Sequence, residues 1–453
     1  MKKFTKILAA GMACMLCFGG VACGGDGENG GTLTVTYQQG TTEGRIVTRL
    51  KNAFEAKKKE EGKTVKVKLV ATSSNNYNPD ILKGWETDAL ADVVYTYDEF
   101  APVWAEKGVF ENLDARFAAS NFDFSAYDEA AFSSAKAYGG SIYYVPRSYD
   151  QPVVYVNRDL FTQYDIAVPT ASEFTWTKLM EICDQLRKAF DNDSSLGIDA
   201  QYYYPLDLTW TWQPIYNAFV QSFGGYIYNG ETGAVGFTES GTVKAFEKIR
   251  EIINNKYAPP TTGGGKNFSD KKAAMYIMSR PTVSNLEKDE IENVAFLPMP
   301  VFDEAFTGIA NGKSYYCYGT TGYALNSNSK NKETAWEFMQ FVMSVEGQTI
   351  LSEGGLIVPI VKSMQNAENA AWKKGISFIA DEDQSAFVFG ADKESVYTRI
   401  LATYARGNYP TKERTVYDSV NQQIQSLCSK TYEDETVAKF CADAQAAVLQ
   451  KLA

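Results

Sequence analysis

At 453 residues the chain is longer than a single hydrophobic core of about 250–300 residues usually serves, so two lobes are expected. Hydrophobic residues make up 45% and charged residues 22%, the balance of a globular protein with ample core, while a formal charge of −11 argues against binding a phosphate backbone or an anionic membrane through a basic face, so no nucleic-acid partner is expected. The chain has no histidine, which removes Ser-His-Asp and Cys-His catalysis and every His-containing metal site, and leaves carboxylate chemistry open.

The chain opens with Lys2, Lys3 and Lys6, a short apolar run at 7–18, and then Gly20-Val21-Ala22-Cys23. The run is too short to span a membrane as a mature helix. It resembles a bacterial lipoprotein signal, in which a small residue precedes the cysteine that is diacylated and becomes the new N-terminus; Gly20 departs from the Leu or Val preferred there. The resemblance implies removal of 1–22, lipidation at Cys23 and anchoring to the outer face of the cytoplasmic membrane; an ordinary secretory peptide cut nearby is the alternative. Residues 23–31, glycine-rich with Asn29, read as a flexible tether. Cys183, Cys317, Cys428 and Cys441 show no CxxC or zinc spacing, and Cys428 with Cys441 reads either as a bridge between C-terminal helices or as two small buried residues.

In chain order, residues 33–37 alternate and β-branch as a strand, 38–42 break it, and Ile46, Leu50, Ala53 and Phe54 mark the buried face of a helix. A strand at 64–71, a short helix at 81–90 and a strand at 91–97 follow. Alternating β and α elements predict mostly parallel sheets flanked by helices, whose ligands sit beyond the carboxyl ends of the strands. The loops at 38–42 and 95–100 would lie there, which makes Gln39, Tyr97 and Asp98 candidate contacts; a simple turn or cap is the other reading of Asp98.

The stretch 138–161 places two apolar runs, 142–145 and 153–156, on either side of the polar insert Pro146-Arg147-Ser148-Tyr149-Asp150. Beyond it, Thr175 caps a helix with Trp176, Leu179, Ile182, Cys183, Leu186 and Phe190 at helical spacing, and 206–225 is unusually aromatic. Further helices are predicted from Val243, Phe246, Ile249 and Ile253, and from Trp336, Met339 and Val342. Short strands are expected at 273–278, 294–297 and 322–325.

The order of these motifs resembles the extracellular solute-binding proteins of ABC importers, in particular the carbohydrate-binding, maltose-type group. The resemblance is carried by Ala91-Asp92-Val93-Val94, by 108–114, by Ile142-Tyr143-Tyr144-Val145-Pro146 with Asn157-Arg158-Asp159-Leu160-Phe161 starting eleven residues later, by 174–179, Phe223-Gly224-Gly225-Tyr226, Lys272-Ala273-Ala274-Met275 and 328–338. It implies a type II two-lobe α/β fold, with residues 32–148 and 315–352 in the first lobe and 149–314 and 353–453 in the second. Strands would cross between the lobes, with hinges at Pro146 and Gly354-Gly355. It further implies a monomer that is not an enzyme and needs no cofactor, and that closes on a carbohydrate and delivers it to the transmembrane permease subunits. The chain has no GxxxxGK[ST] loop for ATP of its own.

A sugar offers hydroxyls at its edge and apolar C–H faces, so its site needs aromatic rings beside carboxylates, amides or guanidinium groups. By the resemblance Asp150 takes the family's carboxylate position, with Tyr149 beside it; a hinge salt bridge to Arg147 is the alternative. Trp210 and Trp212 fall on one side if their segment is extended. Arg280 stands where the family often has Trp, which implies an anionic ligand group or else a salt bridge between lobes. Among Tyr315, Tyr316 and Tyr318, alternation puts Tyr316 and Tyr318 on one side, and Tyr316 is the expected contact. A secreted glycoside hydrolase using Asp98 and Asp150, and a surface adhesin without a permease, are the rival readings.

Overall fold

The computed structural model describes residues 31–73, 77–136, 139–229, 232–260, 265–353, 355–366, 370–374, 383–388, 396–401, 410–428 and 436–453. The expected signal peptide, Cys23, all of the tether but Gly31, and the proposed hinge residue Gly354 lie outside them.

Two sheets organise the molecule. The first runs in the order β2 (Lys66–Thr72), β1 (Thr32–Gln38), β3 (Val93–Tyr97), β12 (Thr321–Leu325) and β4 (Tyr144–Pro146). β1 is parallel to β2 and β3, whereas β12 is antiparallel to β3 and β4. Val93, Val94 and Tyr95 are buried in succession, as a strand covered on both faces must be. Leu50 and Phe54 of the helix Thr41–Glu60 pack onto this core with Phe338 of the helix Lys332–Met343, and Phe54 meets Phe338 edge to face at 5.2 Å.

The second sheet runs β10 (Val294–Pro298), β5 (Val153–Asn157), β9 (Ala273–Met278) and β6 (Tyr204–Asp207). Its directions are more mixed than alternating β and α elements predict: β5 is antiparallel to β10 and β9, and only β6 and β9 are parallel. The cause is the connectivity, since β5 enters from the first sheet and is flanked by strands that run back toward it. A short hairpin pairs β7 (Tyr228–Asn229) with β8 (Ala234–Val235). The helix Trp176–Asn192 covers the sheet as its periodicity predicts, with Thr175 Oγ1 accepting from the Lys178 N–H at 3.1 Å and Trp176, Leu179, Ile182 and Leu186 buried. β11 (Ser314–Tyr318) pairs in parallel with β13 (Tyr397–Leu401), and Tyr316 and Cys317 bury in the second core, so the returning chain joins the first sheet at Thr321. Cys183, Cys317, Cys428 and Cys441 are buried free thiols, so no bridge joins Cys428 to Cys441.

The glycine pair Gly224-Gly225 has a steric reason. Gly224 has φ of +77°, and a Cβ on Gly225 would lie 2.3 Å from the Thr242 nitrogen. Thr242 Oγ1 in turn accepts from Tyr226 N at 3.2 Å and donates to Tyr226 O at 3.0 Å, which locks the turn to the start of the helix Ser240–Asn254. Gly225→Ala should therefore cost about 1–3 kcal/mol or more by overpacking, read as a lower urea midpoint with unchanged slope.

Candidate functional site

Three segments run side by side between the two sheets. Residues 147–152 leave β4 and enter β5; Arg147 N donates to Thr321 O at 2.9 Å, and Asp150 and Gly319 exchange N–H···O bonds of 3.0 and 2.9 Å. On the other side Tyr149 N donates to Val358 O at 3.1 Å. Backbone pairing ties these crossings into one bundle, with Pro146 at its entry as the last residue of β4.

Over these crossings opens a cleft of about 600 Å³. The ends of β1 and β3 bring Gln38, Gln39, Tyr97, Asp98 and Glu99 to it; the crossings bring Arg147, Asp150, Gln151 and Gly319 to Thr321; the start of the helix Gln213–Ser222 brings Trp212 and Gln213, and the end of β9 brings Met278 and Ser279. The loops at the carboxyl ends of β1 and β3 thus reach the site, as expected for an open sheet.

Two carboxylates sit at its floor. Asp98 Oδ2 accepts from Ser134 Oγ at 3.1 Å and Thr320 N at 3.2 Å, and Oδ1 accepts from Glu99 N at 2.9 Å. Burial nevertheless pushes its carboxyl up from the ordinary 3.8 to about 6, those hydrogen bonds oppose the rise, and Asp150 adds to it. Asp150 Oδ2 accepts from Ser148 Oγ at 2.8 Å, while Oδ1 is buried with no partner among the described residues. Burial raises Asp150 to about 6 as well, against the Ser148 bond and the Arg147 charge.

Asp150 makes no hinge salt bridge. Arg147, buried beside it, pairs instead with both oxygens of Glu43, one of them at 3.2 Å, donates from Nε to Thr321 Oγ1 at 3.2 Å, and lies over the Tyr95 ring at 4.8 Å. Burial works against the guanidinium charge, but Glu43 outweighs it and holds the pKa well above its usual range.

Because both aspartates are raised, the folded state holds protons that the unfolded chain releases between pH about 4 and about 6, and the ionisation of this pair costs stability as pH rises through that window. Asp98→Asn and Asp150→Asn should each stabilise the unliganded protein at neutral pH by about 1–2 kcal/mol, a gain that shrinks toward pH 4. Melting curves of variant and wild type across that range test this; a gain constant with pH would refute it.

The structure brings Gln39, Tyr97, Asp98, Asp150 and Trp212 to one cleft and turns four other expected contacts away from it. Trp210 is fully buried in the second core with Phe219 at 5.9 Å. β6 ends at Asp207, and Trp212 N closes a turn onto Thr209 O at 3.0 Å, so the alternation that would have put both tryptophans on one side does not apply. Arg280 is fully buried, does not line the cleft and forms no salt bridge among the described residues; it donates to Gly355 O, Trp372 O and Gln384 Oε1 at 2.7–2.9 Å. Tyr316 buries its ring against Tyr397 and donates to Pro152 O at 2.8 Å. Tyr149 stacks on Tyr318 and donates to Gln151 Oε1 at 2.6 Å.

Among the other polar residues lining the cleft, Glu43, Glu99, Gln151, Gln213 and Ser279 are not singled out by the sequence pattern. Glu99 and Gln213 follow singled-out residues directly, a signal that was there to use. Glu43 sits one turn into the first helix, and only the fold brings it to Arg147.

The profile of the bacterial extracellular solute-binding proteins matches residues 40–349. The chain belongs to this family. A protein of Brucella abortus (strain 2308) is 24% identical over 290 residues, 59% of this chain and 64% of that one, so the chain spans a little under two thirds of the curated relative it matches. The galactooligosaccharide-binding protein of Bacillus subtilis (strain 168) is 23% identical over 277 residues, 58% of this chain and 59% of its own. Among solved structures, the ABC substrate-binding protein of Listeria monocytogenes in complex with cycloalternan superposes with a TM-score of 0.73 at 16% identity, over 93% of this chain and 99% of that one. At that identity the likeness establishes the fold: two sheet-bearing lobes of the solute-binding type. No helix among the described residues is long and apolar enough to cross a membrane.

Proposed function

We propose that the chain is the binding component of an ABC importer and captures a carbohydrate in the cleft over the hinge. The observation that carries this is one cavity lined both by Tyr97 and Asp98, at the end of β3 in the first sheet, and by Trp212 and Gln213, at the start of the helix Gln213–Ser222 that packs in the second core. Aromatic faces, carboxylates and amides are the groups that a ring of hydroxyls with apolar C–H faces requires. A relative that binds galactooligosaccharide and a fold neighbour that holds cycloalternan support the same class of ligand.

In this reading the two sheet-bearing lobes, with β11 and β13 going with the second, move as two bodies about the paired crossings. A ligand touching both stabilises the closed form by its differential affinity. The closed monomer then docks on the permease, held near the membrane by a lipid on Cys23. It acts by binding, without a cofactor and without catalysis. Asp98 and Asp150, both raised to about 6, are the groups a glycoside hydrolase would use, and the appearance of new reducing ends on incubation with oligosaccharides would favour that reading.

A thermal-shift screen against glycans, polyols and amino acids tests the assignment, since a ligand at 100 times its Kd adds about 2.7 kcal/mol. A clear shift with an oligosaccharide is expected, and a flat response to every carbohydrate would refute it. Trp212→Ala should weaken that ligand by about 0.5–1.5 kcal/mol, measured by titration calorimetry, with little change in the melting temperature of the free protein.

A further inference from the structure

We infer that the cleft is built for saccharides carrying a protonated amine, takes neutral ones less tightly, and rejects anionic ones. The inference rests on the carbohydrate reading above and narrows it by charge.

Among the described residues the charged groups lining the cleft are Glu43, Asp98, Glu99, Asp150 and Arg147, with no lysine. Arg147 is the one cation, and it is spent: both Glu43 oxygens hold it, its Nε is on Thr321 Oγ1, and its face lies on Tyr95. The Glu43 and Arg147 charges cancel, so a ligand meets the field of Asp98 and Asp150. The donors to Asp98 are a hydroxyl and two backbone N–H groups, and the donor to Asp150 is a hydroxyl; none brings a positive charge. Asp150 Oδ1 is buried at the cleft floor with no protein donor among the described residues, and a ligand N–H or O–H is the group that would complete it.

An ammonium group answers both needs, since it donates to the open oxygen and neutralises a carboxylate in a partly desolvated site. Tyr97 and Trp212, partly exposed on the cleft, can further receive a cation or the C–H face of a sugar ring. A neutral hydroxyl supplies the hydrogen bond without the charge. A ligand carboxylate or sulfate supplies neither, and meets like charge with no free guanidinium or ammonium group among the described lining residues to receive it.

Four three-sugar probes at about pH 7.5 test this by titration calorimetry on the full mature chain: maltotriose, cellotriose, the trimer of glucosamine and the trimer of galacturonate. The glucosamine trimer should bind at least about threefold tighter than the better neutral trimer, and the galacturonate trimer at least about tenfold weaker. Asp150→Asn, close to isosteric, should narrow the gap between the glucosamine trimer and the neutral trimers, and Asp98→Asn provides a second route if that variant folds poorly. Galacturonate binding as tight as either neutral trimer, or a glucosamine trimer weaker than both, overturns the inference and leaves the carbohydrate reading standing. Binding of none of the four overturns the carbohydrate reading and this inference with it.

Discussion

Replacement of Arg147 by methionine is expected to lower the unfolding free energy by about 3–5 kcal/mol, because it leaves a buried carboxylate without its partner. Arg147 is 4% exposed, and the Glu43 side chain against it is 11% exposed. The loss goes beyond one ion pair. The guanidinium also covers Tyr95 and donates to Thr321, while the backbone of the same residue donates to Thr321 O and accepts from Gln348 Nε2 at 3.1 Å. One residue thus joins the first helix, β3, β12 and the helix Val345–Ser352 at the point where the chain leaves the first sheet. Glu43→Gln on top of Arg147→Met removes the uncompensated charge and should recover a large part of the loss, which is the signature that separates an orphaned carboxylate from lost packing. Denaturant midpoints of both single variants and the double variant decide it. A single Arg147→Met cost below about 1 kcal/mol would mean that Glu43 finds water when its partner is gone, and the pair would lose its standing as a structural joint.

The same neighbourhood shows how far sequence reasoning reaches. Periodicity locates the helix Trp176–Asn192 down to its Thr175 cap, because amphipathic spacing and capping are local properties. Asp150 is legible for a similar reason: a polar insert between two buried strands has to be where the chain leaves one core for another. Trp210, Tyr149 and Tyr316 are misread because the direction of an aromatic side chain depends on groups distant in sequence. Tyr316 answers to Pro152 and Tyr397, and Trp210 to a turn at Thr209 that ends the extended run. Alternation carries information only while the strand lasts. Strand direction in the second sheet is lost for an equivalent reason, since β5 owes its antiparallel neighbours to the crossing and not to any pattern within its own five residues.

Arg280 is the sharpest case, and its replacement carries the other large expected effect. Its side chain is fully buried, lies over the Trp372 ring at 5.0 Å and the Phe387 ring at 4.7 Å, and donates to Gly355 O, Trp372 O and Gln384 Oε1. No carboxylate faces it among these contacts. Burial lowers its pKa to about 10, which still leaves it protonated at neutral pH, and among the described residues carbonyl dipoles and ring faces compensate its charge. Arg280→Ala removes three charge-assisted hydrogen bonds, strands buried acceptors and opens a cavity between two rings, against which the recovered desolvation energy counts only in part; a net loss of about 3–5 kcal/mol is expected. Lysine should not rescue it, because a single ammonium cannot reach three acceptors held at the angles of a planar fork. The functional readout runs opposite to the anionic-ligand role that the sequence implies. Titration of folded Arg280→Lys with the best oligosaccharide should give an affinity within about threefold of wild type, while the denaturant midpoint falls, since Ser279 and Pro281 line the cleft and Arg280 turns away from it. An Arg280→Lys protein of unchanged stability that loses a carboxylated or sulfated ligand selectively would reverse this placement and return Arg280 to the site.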